Sequence, residues 1–482
     1  MTHELQETGE GMAQANSPTD KVRALQRVLY VAAKRNGRRK FHALYDRIAR
    51  PDVLLRAWDQ VRSNQGAAGI DGETLEAVEA YGVERMLEEV RELLLSGRYR
   101  PRATRRVYIP KPGRPAERRP LSIPVVRDRV VQTAAKLVLE PIFEADFLPC
   151  SFGFRPKRNQ IQALELVRNE VNSGARWVVE IDFRDFFGSL DSDLLVGLVA
   201  NRVSDRRVLR LIRLWIKAGV VDAGEYSETT NGVPQGGSTS PLLSNIYGHA
   251  FDERWMSEAS HLGRYVRFAD DGVILCRTKS GAQRALEWLQ KTAQALKLSL
   301  HPEKTRIVDL REGAEGFDFL GFHNRLVKSR RYKGWYCQRW PSKRAMASIR
   351  TKITEVLAPR YRLKEPVQAL VTEVNQIVRG WGNYFRNGNS AKKFSQIDDY
   401  VRERLALCDS KKRGRSGRHW SRADIERGHA AQQAVKARRH RGPGHRRGRR
   451  KAVVHDQAWF ARLDVYSLSG RVRYNREATA TT

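Results

Sequence analysis

The sequence predicts an α+β protein, and three patterns along its 482 residues support that prediction. Two β-type runs, Tyr265 to Phe268 and Gly272 to Cys276, lie so close together that they predict a hairpin. An apolar run beginning at Trp177 predicts a further strand, which delivers Asp182 at its end. Residues 340 to about 410 carry leucine and valine at spacings of three and four, which predicts packed helices.

Composition restricts the class of partner. The formal net charge of +34 and the pI of about 10.5 require a polyanion, and nucleic acid is the usual one. A membrane surface is the competing interpretation, but the chain lacks an apolar stretch of roughly 18 residues and a signal-like amino terminus. We expect a soluble, cytoplasmic protein with no membrane partner. The four cysteines include no Cys-x-x-Cys, which argues against a disulfide scaffold or a zinc knuckle.

Three aspartates form the candidate catalytic group. Asp182 ends the predicted strand, and Asp270 and Asp271 occupy the tip of the predicted hairpin. Because side chains alternate along a strand, one of the hairpin pair is expected as a direct ligand and the other as its neighbour. Such carboxylates suit two Mg²⁺ ions about 3.5–4 Å apart, which assist in-line phosphoryl transfer to or from nucleotides. Taken alone, Asp-Asp-Gly is also ordinary turn chemistry.

A glycine-rich loop lies between these segments, at Asn231 to Tyr247. Gly236 and Gly237 predict a close approach of the backbone to a substrate, and Ser238 to Ser240 offer caps for a following helix with Pro241 in its first turn. Gln235 is an uncharged donor and acceptor suited to a base or sugar. Such a loop is weak evidence alone and stronger in this order along the chain.

The ordered motifs resemble those of the multifunctional reverse transcriptases encoded by bacterial group II introns. They are the Asp182 strand, Pro234-Gln-Gly-Gly237, Phe268-Ala-Asp-Asp271, His301-Pro-Glu-Lys-Thr305 and Phe319-Leu-Gly-Phe322, preceded by Ile109 to Gly113, Arg119 to Pro124, Asp128 to Gln132 and Ser151 to Pro156. Downstream, Val378 to Phe385 resembles the maturase domain, or domain X. Phe268 stands where the family more often has tyrosine, which keeps the aromatic ring and loses a hydroxyl.

The resemblance implies a right-hand polymerase with fingers, an antiparallel palm sheet and a helical thumb. The predicted domains are a disordered amino terminus (1–20), a helical extension (21–96), fingers and palm (97–325), a thumb or domain X (340–410) and a basic nucleic-acid-binding tail (411–482). It also implies RNA-directed DNA synthesis together with intron RNA binding that assists splicing and mobility. The expected partners are group II intron RNA, an RNA template, a DNA primer or target and dNTPs, with association to the nucleoid when DNA is bound.

The resemblance further assigns roles around the aspartates. The backbone of Phe183 joins the metal ligands, and Phe187 is expected to exclude a ribose 2′-hydroxyl, although Phe186 and Phe187 are both also candidates for the core. Arg119 is the best candidate for a phosphate contact, with Lys111 and Arg155 weaker ones, since a basic run is more often a solvated face. The remaining expectations are pyrophosphate assistance by Lys304 and primer contacts by Phe319, Leu320 and Gly321; a surface lysine and a buried strand end are the ordinary alternatives.

Other predictions concern the second half of the chain. Arg379, Trp381 and Tyr384 are candidates for an RNA-stacking platform, against the commoner interpretation that such aromatics are core. The tail has histidines without metal-site spacing, so an endonuclease is not expected. Three functional alternatives stay open: a maturase with a vestigial polymerase site, a host-adopted reverse transcriptase in defence or repair, and a basic architectural binder.

Overall fold

The computed structural model describes residues 18–111, 114–329, 334–413, 455 and 457–469. The chain divides into two compact units. The first contains Met1–Pro110, Glu117–Leu320 and Lys328–Tyr336, and the second contains Lys111–Ala116, Gly321–Val327 and Cys337–Thr482. The predicted mixture of helices and strands is confirmed. Among the described residues, no helix is both long and apolar enough to span a bilayer.

The helices are numbered in chain order. They are α1 (Pro18–Arg35), α2 (Tyr45–Ile48), α3 (Pro51–Ser63), α4 (Leu75–Tyr81), α5 (Val83–Leu95), α6 (Val126–Glu144), α7 (Gln160–Asn172), α8 (Phe186–Ser189), α9 (Ser192–Ala200), α10 (Arg206–Ile216), α11 (Ser240–Arg254), α12 (Lys279–Ala295), α13 (Lys343–Leu357), α14 (Val367–Phe385), α15 (Ala391–Lys412) and α16 (Gln457–Arg462). A π-helical turn, Trp255–Ala259, continues α11, and short 3₁₀ turns cover Ser260–Leu262, Arg311–Gly313 and Arg360–Lys364.

The strands are β1 (Thr104–Lys111), β2 (Arg114–Ile123), β3 (Trp177–Ile181), β4 (Val220–Asp222), β5 (Glu225–Ser227), β6 (Arg264–Phe268), β7 (Asp271–Cys276), β8 (Arg306–Asp309), β9 (Gly316–Phe319), β10 (Phe322–Lys328) and β11 (Trp335–Pro341). In the first unit, one sheet has the order β6-β7-β3-β8 and another the order β2-β1-β4-β5. The predicted hairpin is confirmed as β6 and β7, which pair antiparallel.

The sheet β6-β7-β3-β8 is antiparallel throughout and positions the candidate carboxylates. β3 is a central strand, with β7 on one side and β8 on the other. Four of its five residues are apolar and buried, and Glu180 is the exception, as expected of a strand largely covered on both faces. Helix α12 packs against β3 and β7, and α7 packs against β6. The sheet is thereby fixed in the interior of the unit.

A helical layer precedes this sheet. α6 is its centre, and most of its side chains are buried, including the polar side chains of Asp128, Gln132 and Thr133. Helices α1 and α3 pack against it. The start of α7 is fixed by a capping box between Asn159 and Gln162, in which each side chain accepts a hydrogen bond from the backbone nitrogen of the other residue.

The second unit contains an assembly of three helices, in which α13 packs against α14 and α15. Each helix contributes an apolar face at the predicted spacing, including Ile353 from α13, Val374 from α14 and Val401 from α15. Ser342 caps α13 by accepting a hydrogen bond from the nitrogen of Ala345.

A carboxy-terminal segment, residues 457–469, folds onto α14 and α15, which the sequence analysis did not predict. Asp398 on α15 accepts hydrogen bonds from the nitrogens of Leu468 and Ser469 at 2.8 and 2.9 Å. Asn375 on α14 donates to the carbonyl of Asp464 at 2.8 Å. Leu468 is buried. This part of the predicted tail is therefore docked, while the basic runs at 414–418 and 438–451 lie outside the described residues.

Substitution by alanine is expected to have opposite effects at two glycines of α14. A Cβ at Gly380 would meet no atom within 4 Å, whereas one at Gly382 would lie 2.2 Å from Cδ2 of Leu468. Gly380→Ala is expected to raise the free energy of unfolding by up to about 1 kcal/mol, because alanine loses less conformational entropy in a helix. Gly382→Ala is expected to displace residues 463–469, seen as faster hydrogen exchange in peptides covering them. Equal exchange there in both variants would contradict this account of the docking.

Candidate active site

The strand register brings two of the predicted aspartates to one end of the sheet. Ile181, the last residue of β3, pairs with Gly272 of β7. One further step of the same register places Asp182 opposite Asp271. Asp270 occupies the turn between β6 and β7, and its carboxylate and that of Asp182 are close enough for the charge of Asp182 to act on Asp270. Asp271 is more exposed and begins β7.

The backbone at Asp182 is held by the segment that follows α12. The nitrogen of His301 donates to the carbonyl of Asp182 at 2.8 Å, and the hydroxyl of Thr305 donates to the same oxygen at 3.2 Å. The nitrogen of Arg184 donates to the carbonyl of Ser299 at 2.8 Å. The motif from His301 to Thr305 therefore fixes the strand end that carries Asp182.

The carboxyl of Asp270 is partly buried. Removal from water raises the pKa of its carboxyl above the usual value, and the nearby charge of Asp182 raises it further. Arg119 and Arg267 act in the opposite direction. A buried carboxylate next to another carboxylate gains from a bound cation, because a cation offsets both the lost hydration and the repulsion.

A cationic side chain already lies at Asp182. Nζ of Lys304 is 2.6 Å from Oδ2 of Asp182, and both side chains are partly exposed. Among the described residues, no group of three or more His, Cys, Asp and Glu side chains forms a complete metal cage. Mg²⁺ does not need one, since it commonly takes one or two carboxylates and completes its shell with water and phosphate oxygens. The carboxylates at this sheet end fit that requirement, with Lys304 occupying the position of a countercharge.

The phenylalanines that follow Asp182 pack against one another and differ in burial. Phe183 and Phe186 are buried, with ring centroids 5.3 Å apart, and Phe183 also meets Phe251 edge-on. Phe187 is only partly buried and lies edge-on to Phe186 at 6.0 Å. Of the two candidates for the core, Phe186 is the one the structure buries, so Phe187 keeps surface for a ligand.

The glycine-rich loop approaches its own chain closely. The nitrogen of Ser122 donates to the carbonyl of Gln235 at 2.6 Å. Gly236 has φ of +119°, and a Cβ there would lie 2.5 Å from the carbonyl oxygen of Ser122. The glycine was expected to admit a substrate; in the structure it admits the end of β2.

The rest of the loop corrects one prediction and adds a contact. Ser238 to Ser240 were expected to cap α11, but the helix has no side-chain cap: the hydroxyl of Ser240 instead donates to the carbonyl of Pro234 at 2.7 Å. Pro241 does lie in the first turn, as predicted. Nε2 of Gln235 donates to Oδ1 of Asp185 at 3.4 Å, an interaction that no sequence pattern indicated.

The basic candidates divide into three cases. Arg119 is exposed on β2 and acts electrostatically on Asp270. The Lys111 backbone ends β1, but its side chain is outside the described residues. Arg155 is buried, paired with Glu144 at 2.7 Å, and also donates to the carbonyls of Leu148 and Ser151. The phosphate role suggested for Arg155 is therefore wrong, since these contacts use its guanidinium.

The candidate primer residues occupy a strand end and the turn after it. Phe319 is buried in β9, which agrees with the ordinary alternative for that side chain. Leu320 and Gly321 both have positive φ, 49° and 78°. Leu320 is partly buried and Gly321 exposed, so the turn offers backbone and a small surface, while the phenyl ring belongs to the core.

The candidate stacking residues of the second unit pack mainly against their own unit. Trp381 lies 4.7 Å from Phe385 and 5.7 Å from Phe394, between ring centroids, and Tyr384 stacks on Phe322 at 5.7 Å. The guanidinium of Arg379 lies 5.0 Å from the ring of Tyr466 in the docked segment. Both aromatics are partly exposed, so the edges that RNA would meet are small.

Comparison with known proteins identifies the class of both units. Residues 109–324 match the family described as reverse transcriptase (RNA-dependent DNA polymerase). Residues 346–424 match the group II intron, maturase-specific domain. Both matches occur in the order that the motifs predicted.

Individual relatives agree with these matches. Protein YkfC of Escherichia coli K12 is 35% identical over 348 residues, which cover 64% of this chain and 89% of that protein. The group II intron-encoded protein LtrA of Lactococcus lactis is 36% identical over 215 residues, 44% of this chain and 35% of LtrA. A nuclear intron maturase of Arabidopsis thaliana is 35% identical over 94 residues, 20% of this chain and 13% of that protein. The chain belongs to the group II intron reverse transcriptase and maturase family.

The electrostatics of Asp270 predict a pH dependence. Cation binding needs the ionised carboxylate, so binding falls as the pH drops through the raised pKa of Asp270. Arg119→Gln removes a charge that lowers this pKa. The acid limb of Mn²⁺ binding, followed by the paramagnetic resonance of free Mn²⁺, is then expected to move to higher pH. Arg118→Gln is the matched control, because it removes the same charge from the adjacent exposed position of β2. Equal shifts in the two variants would argue against a specific action of Arg119.

Proposed function

We propose that this chain is an RNA-directed DNA polymerase that also binds intron RNA. The observation that carries the proposal is the placement of Asp182 and Asp270 at one end of an antiparallel sheet, electrostatically coupled and next to the Lys304 cation. Two carboxylates at the end of one strand and in the neighbouring turn are suited to hold divalent cations. The net charge of +34 favours a nucleic acid as the substrate. We infer that the first unit provides fingers and palm, and that the helices of the second unit provide the thumb.

The aspartates and the backbone beside Asp182 hold the metal ions in this proposal. Asp182, Asp270, Asp271 and the backbone of Phe183 would hold two Mg²⁺ ions. When bound, such ions stabilise the attacking and leaving oxygens of an in-line displacement. The primer 3′-hydroxyl attacks the α-phosphate of a dNTP, the new phosphodiester forms, and pyrophosphate leaves.

Other side chains position the dNTP and the departing charge. Arg119 is exposed, and its charge lowers the pKa of the Asp270 carboxyl. Its guanidinium would therefore be close enough to the site to neutralise a phosphate oxygen. Lys304 neutralises Asp182 in the free protein. On exchange for a bound cation its ammonium becomes available to the pyrophosphate. Gln235, tied to Asp185, would meet the sugar or base.

The maturase-specific match supports the second half of the proposal. The segment 346–424 covers α13, α14 and α15, and these helices would bind group II intron RNA and assist its splicing and mobility. An RNA template, a DNA primer or target and dNTPs complete the proposed partners, in the cytoplasm and on the nucleoid.

Two other functions stay separate outcomes. A maturase with a vestigial polymerase site would bind RNA without extending a primer, and a host-adopted reverse transcriptase would extend primers without an intron partner. Survival of all three aspartates favours an active polymerase over the first. The maturase-specific match favours an intron partner over the second.

Primer extension tests the polymerase directly. On an RNA template with a DNA primer, dNTPs and Mg²⁺, the protein is expected to extend the primer, and Asp270→Ala to lose at least about 10²-fold in rate because a metal-holding carboxylate is gone. Asp59→Ala, the same substitution at an exposed position of α3, is the control and should extend normally. Wild-type protein that binds the template–primer and does not extend it would contradict the polymerase and favour the maturase alone.

Phe187 predicts the choice of sugar. Its partly buried ring is expected to clash with a ribose 2′-hydroxyl, so Phe187→Ala should raise the relative use of rNTPs over dNTPs by about tenfold or more. Phe187→Tyr retains the ring and should keep the preference of the wild type. The ratio of kcat/KM for the two substrates measures the effect. An unchanged ratio in Phe187→Ala would show that another group excludes the hydroxyl.

A further inference from the structure

A buried arginine lies directly behind the turn that carries Asp270. Arg267 is on β6, with its side chain 3% exposed, and it forms a two-pronged ion pair with Asp252, which is 0% exposed. Nε and Nη2 donate to the two carboxylate oxygens at 2.8 and 2.6 Å. Nη1 donates to Oδ1 of Asn245 at 3.1 Å and to the carbonyl of Ala269 at 3.0 Å.

The bond to Ala269 acts on the peptide that leads into Asp270. The carbonyl of Ala269 and the nitrogen of Asp270 belong to one planar group, so fixing the oxygen fixes that plane. Ala269 has φ of +58°, the left-handed conformation, which is strained for an alanine. The surrounding structure holds this conformation, and Arg267 is the side chain that holds its carbonyl.

The preceding peptide is confined from the other side. A Cβ at Gly153 would lie 2.3 Å from the nitrogen of Ala269 and 3.0 Å from the carbonyl carbon of Phe268. Gly153 is itself held by Asn245, whose Nδ2 donates to its carbonyl at 2.8 Å. Asn245 thus links Gly153 to Arg267, and the two peptides on either side of Ala269 are both fixed.

The backbone of Arg267 is also engaged. Its nitrogen donates to the carbonyl of Cys150 at 2.8 Å, and its carbonyl accepts from the nitrogen of Phe152 at 2.9 Å. The segment before Gly153 therefore lies alongside β6 as a parallel neighbour. Three separate motifs of the sequence, around Phe152, Asn245 and Arg267, meet behind a single turn.

Stability alone is a poor reason for this arrangement. Removing two charges from water carries a large desolvation penalty, and apolar residues of similar volume often stabilise a core as well as a buried ion pair does. An apolar replacement could not donate to the carbonyl of Ala269. What the arginine adds is a hydrogen bond that fixes the orientation of the peptide between Ala269 and Asp270.

We propose that Arg267 is a positioning residue: anchored by Asp252 and Asn245, it holds the Ala269 peptide so that the Asp270 carboxylate faces the carboxylate of Asp182. This rests on the proposed cation site and goes beyond it by assigning the support of its geometry to a side chain that touches neither substrate nor cation. Gly153 supplies the second contact surface for the same turn.

Arg267→Lys tests the proposal, because lysine keeps the charge beside Asp252 and cannot reach all four acceptors. Arg264→Lys, three positions earlier on the same strand and exposed, is the matched control. Two readouts need no polymerase activity. The first is hydrogen exchange in the peptide covering 264–276. The second is Mn²⁺ binding at the site, defined as the binding that is lost in Asp270→Asn. We expect faster exchange confined to 269–271 and at least about tenfold weaker Mn²⁺ binding in Arg267→Lys alone.

Primer extension adds the kinetic consequence. Arg267→Lys is expected to lower kcat by up to about 10²-fold and to change the KM for dNTPs by no more than a factor of about two. The reason is that a displacement of the Asp270 carboxylate by about 1 Å slows the chemical step and leaves the substrate contacts intact. Combining it with Ala269→Gly should recover part of kcat, because glycine adopts positive φ without support. A residue that served only the stability of the core would show no such recovery.

A second variant covers the case in which Arg267→Lys fails to fold. Gly153→Ala keeps both partners of the ion pair and pushes the same turn, so the folded variant should reproduce the exchange and Mn²⁺ changes. Unchanged exchange at 269–271 and unchanged Mn²⁺ binding in the folded variant would overturn the proposal, whatever the polymerase does. Weakened Mn²⁺ binding in a protein that never extends primers would support it and contradict the proposed polymerase instead.

Discussion

The antiparallel register between β3 and β7 is the constraint on which the candidate site depends. Ile181 pairs with Gly272, so the chain leaves β3 at Asp182 beside the turn that carries Asp270. Because side chains alternate along a strand, a slip of β3 by one residue would point its side chains to the opposite faces of the sheet and move Asp182 away from the turn that carries Asp270. The buried faces of β3 therefore fix the site as firmly as they fix the core.

Many of the motif residues around the site make contacts within the chain. The glycine-rich loop lies against Ser122, the His301 to Thr305 segment binds the backbone at Asp182, and Gly153 lies against the turn before Asp270. Each contact is made to the backbone of a neighbouring segment, and each holds an element that carries a candidate residue. A motif can therefore mark a catalytic site although most of its residues never meet the substrate.

Some cationic side chains of the chain stabilise the fold, and others remain accessible to a ligand. Arg155 and Arg267 are buried and fully engaged with carboxylates and carbonyls, whereas Arg119 and Lys304 keep partly exposed cationic groups near the aspartates. The net charge of +34 indicates a polyanionic partner, but only burial and pairing show which cations are free to meet it.

The second unit shows the same division for aromatic residues. The interval from Val378 to Phe385 marks the maturase-specific domain, and in the structure it supplies core packing through Phe385 and a surface for the carboxy-terminal segment through Gly382. The segment reaches it through Leu468 and Tyr466, residues far along the chain whose pairing no local pattern indicates.

The sequence by itself determined the elements and their chemistry. The hairpin, the strand before Asp182 and the helices of the second unit follow from alternation and from spacings of three and four, which are local properties of the chain. The three aspartates and the order of the motifs predicted the family. Tertiary structure alone decided which candidates meet: Lys304 at Asp182, Gln235 at Asp185, Arg155 inside the core and Arg267 behind Ala269. The reason is that these contacts join distant segments, and their distances depend on strand register and burial, which a pattern of neighbouring residues does not encode.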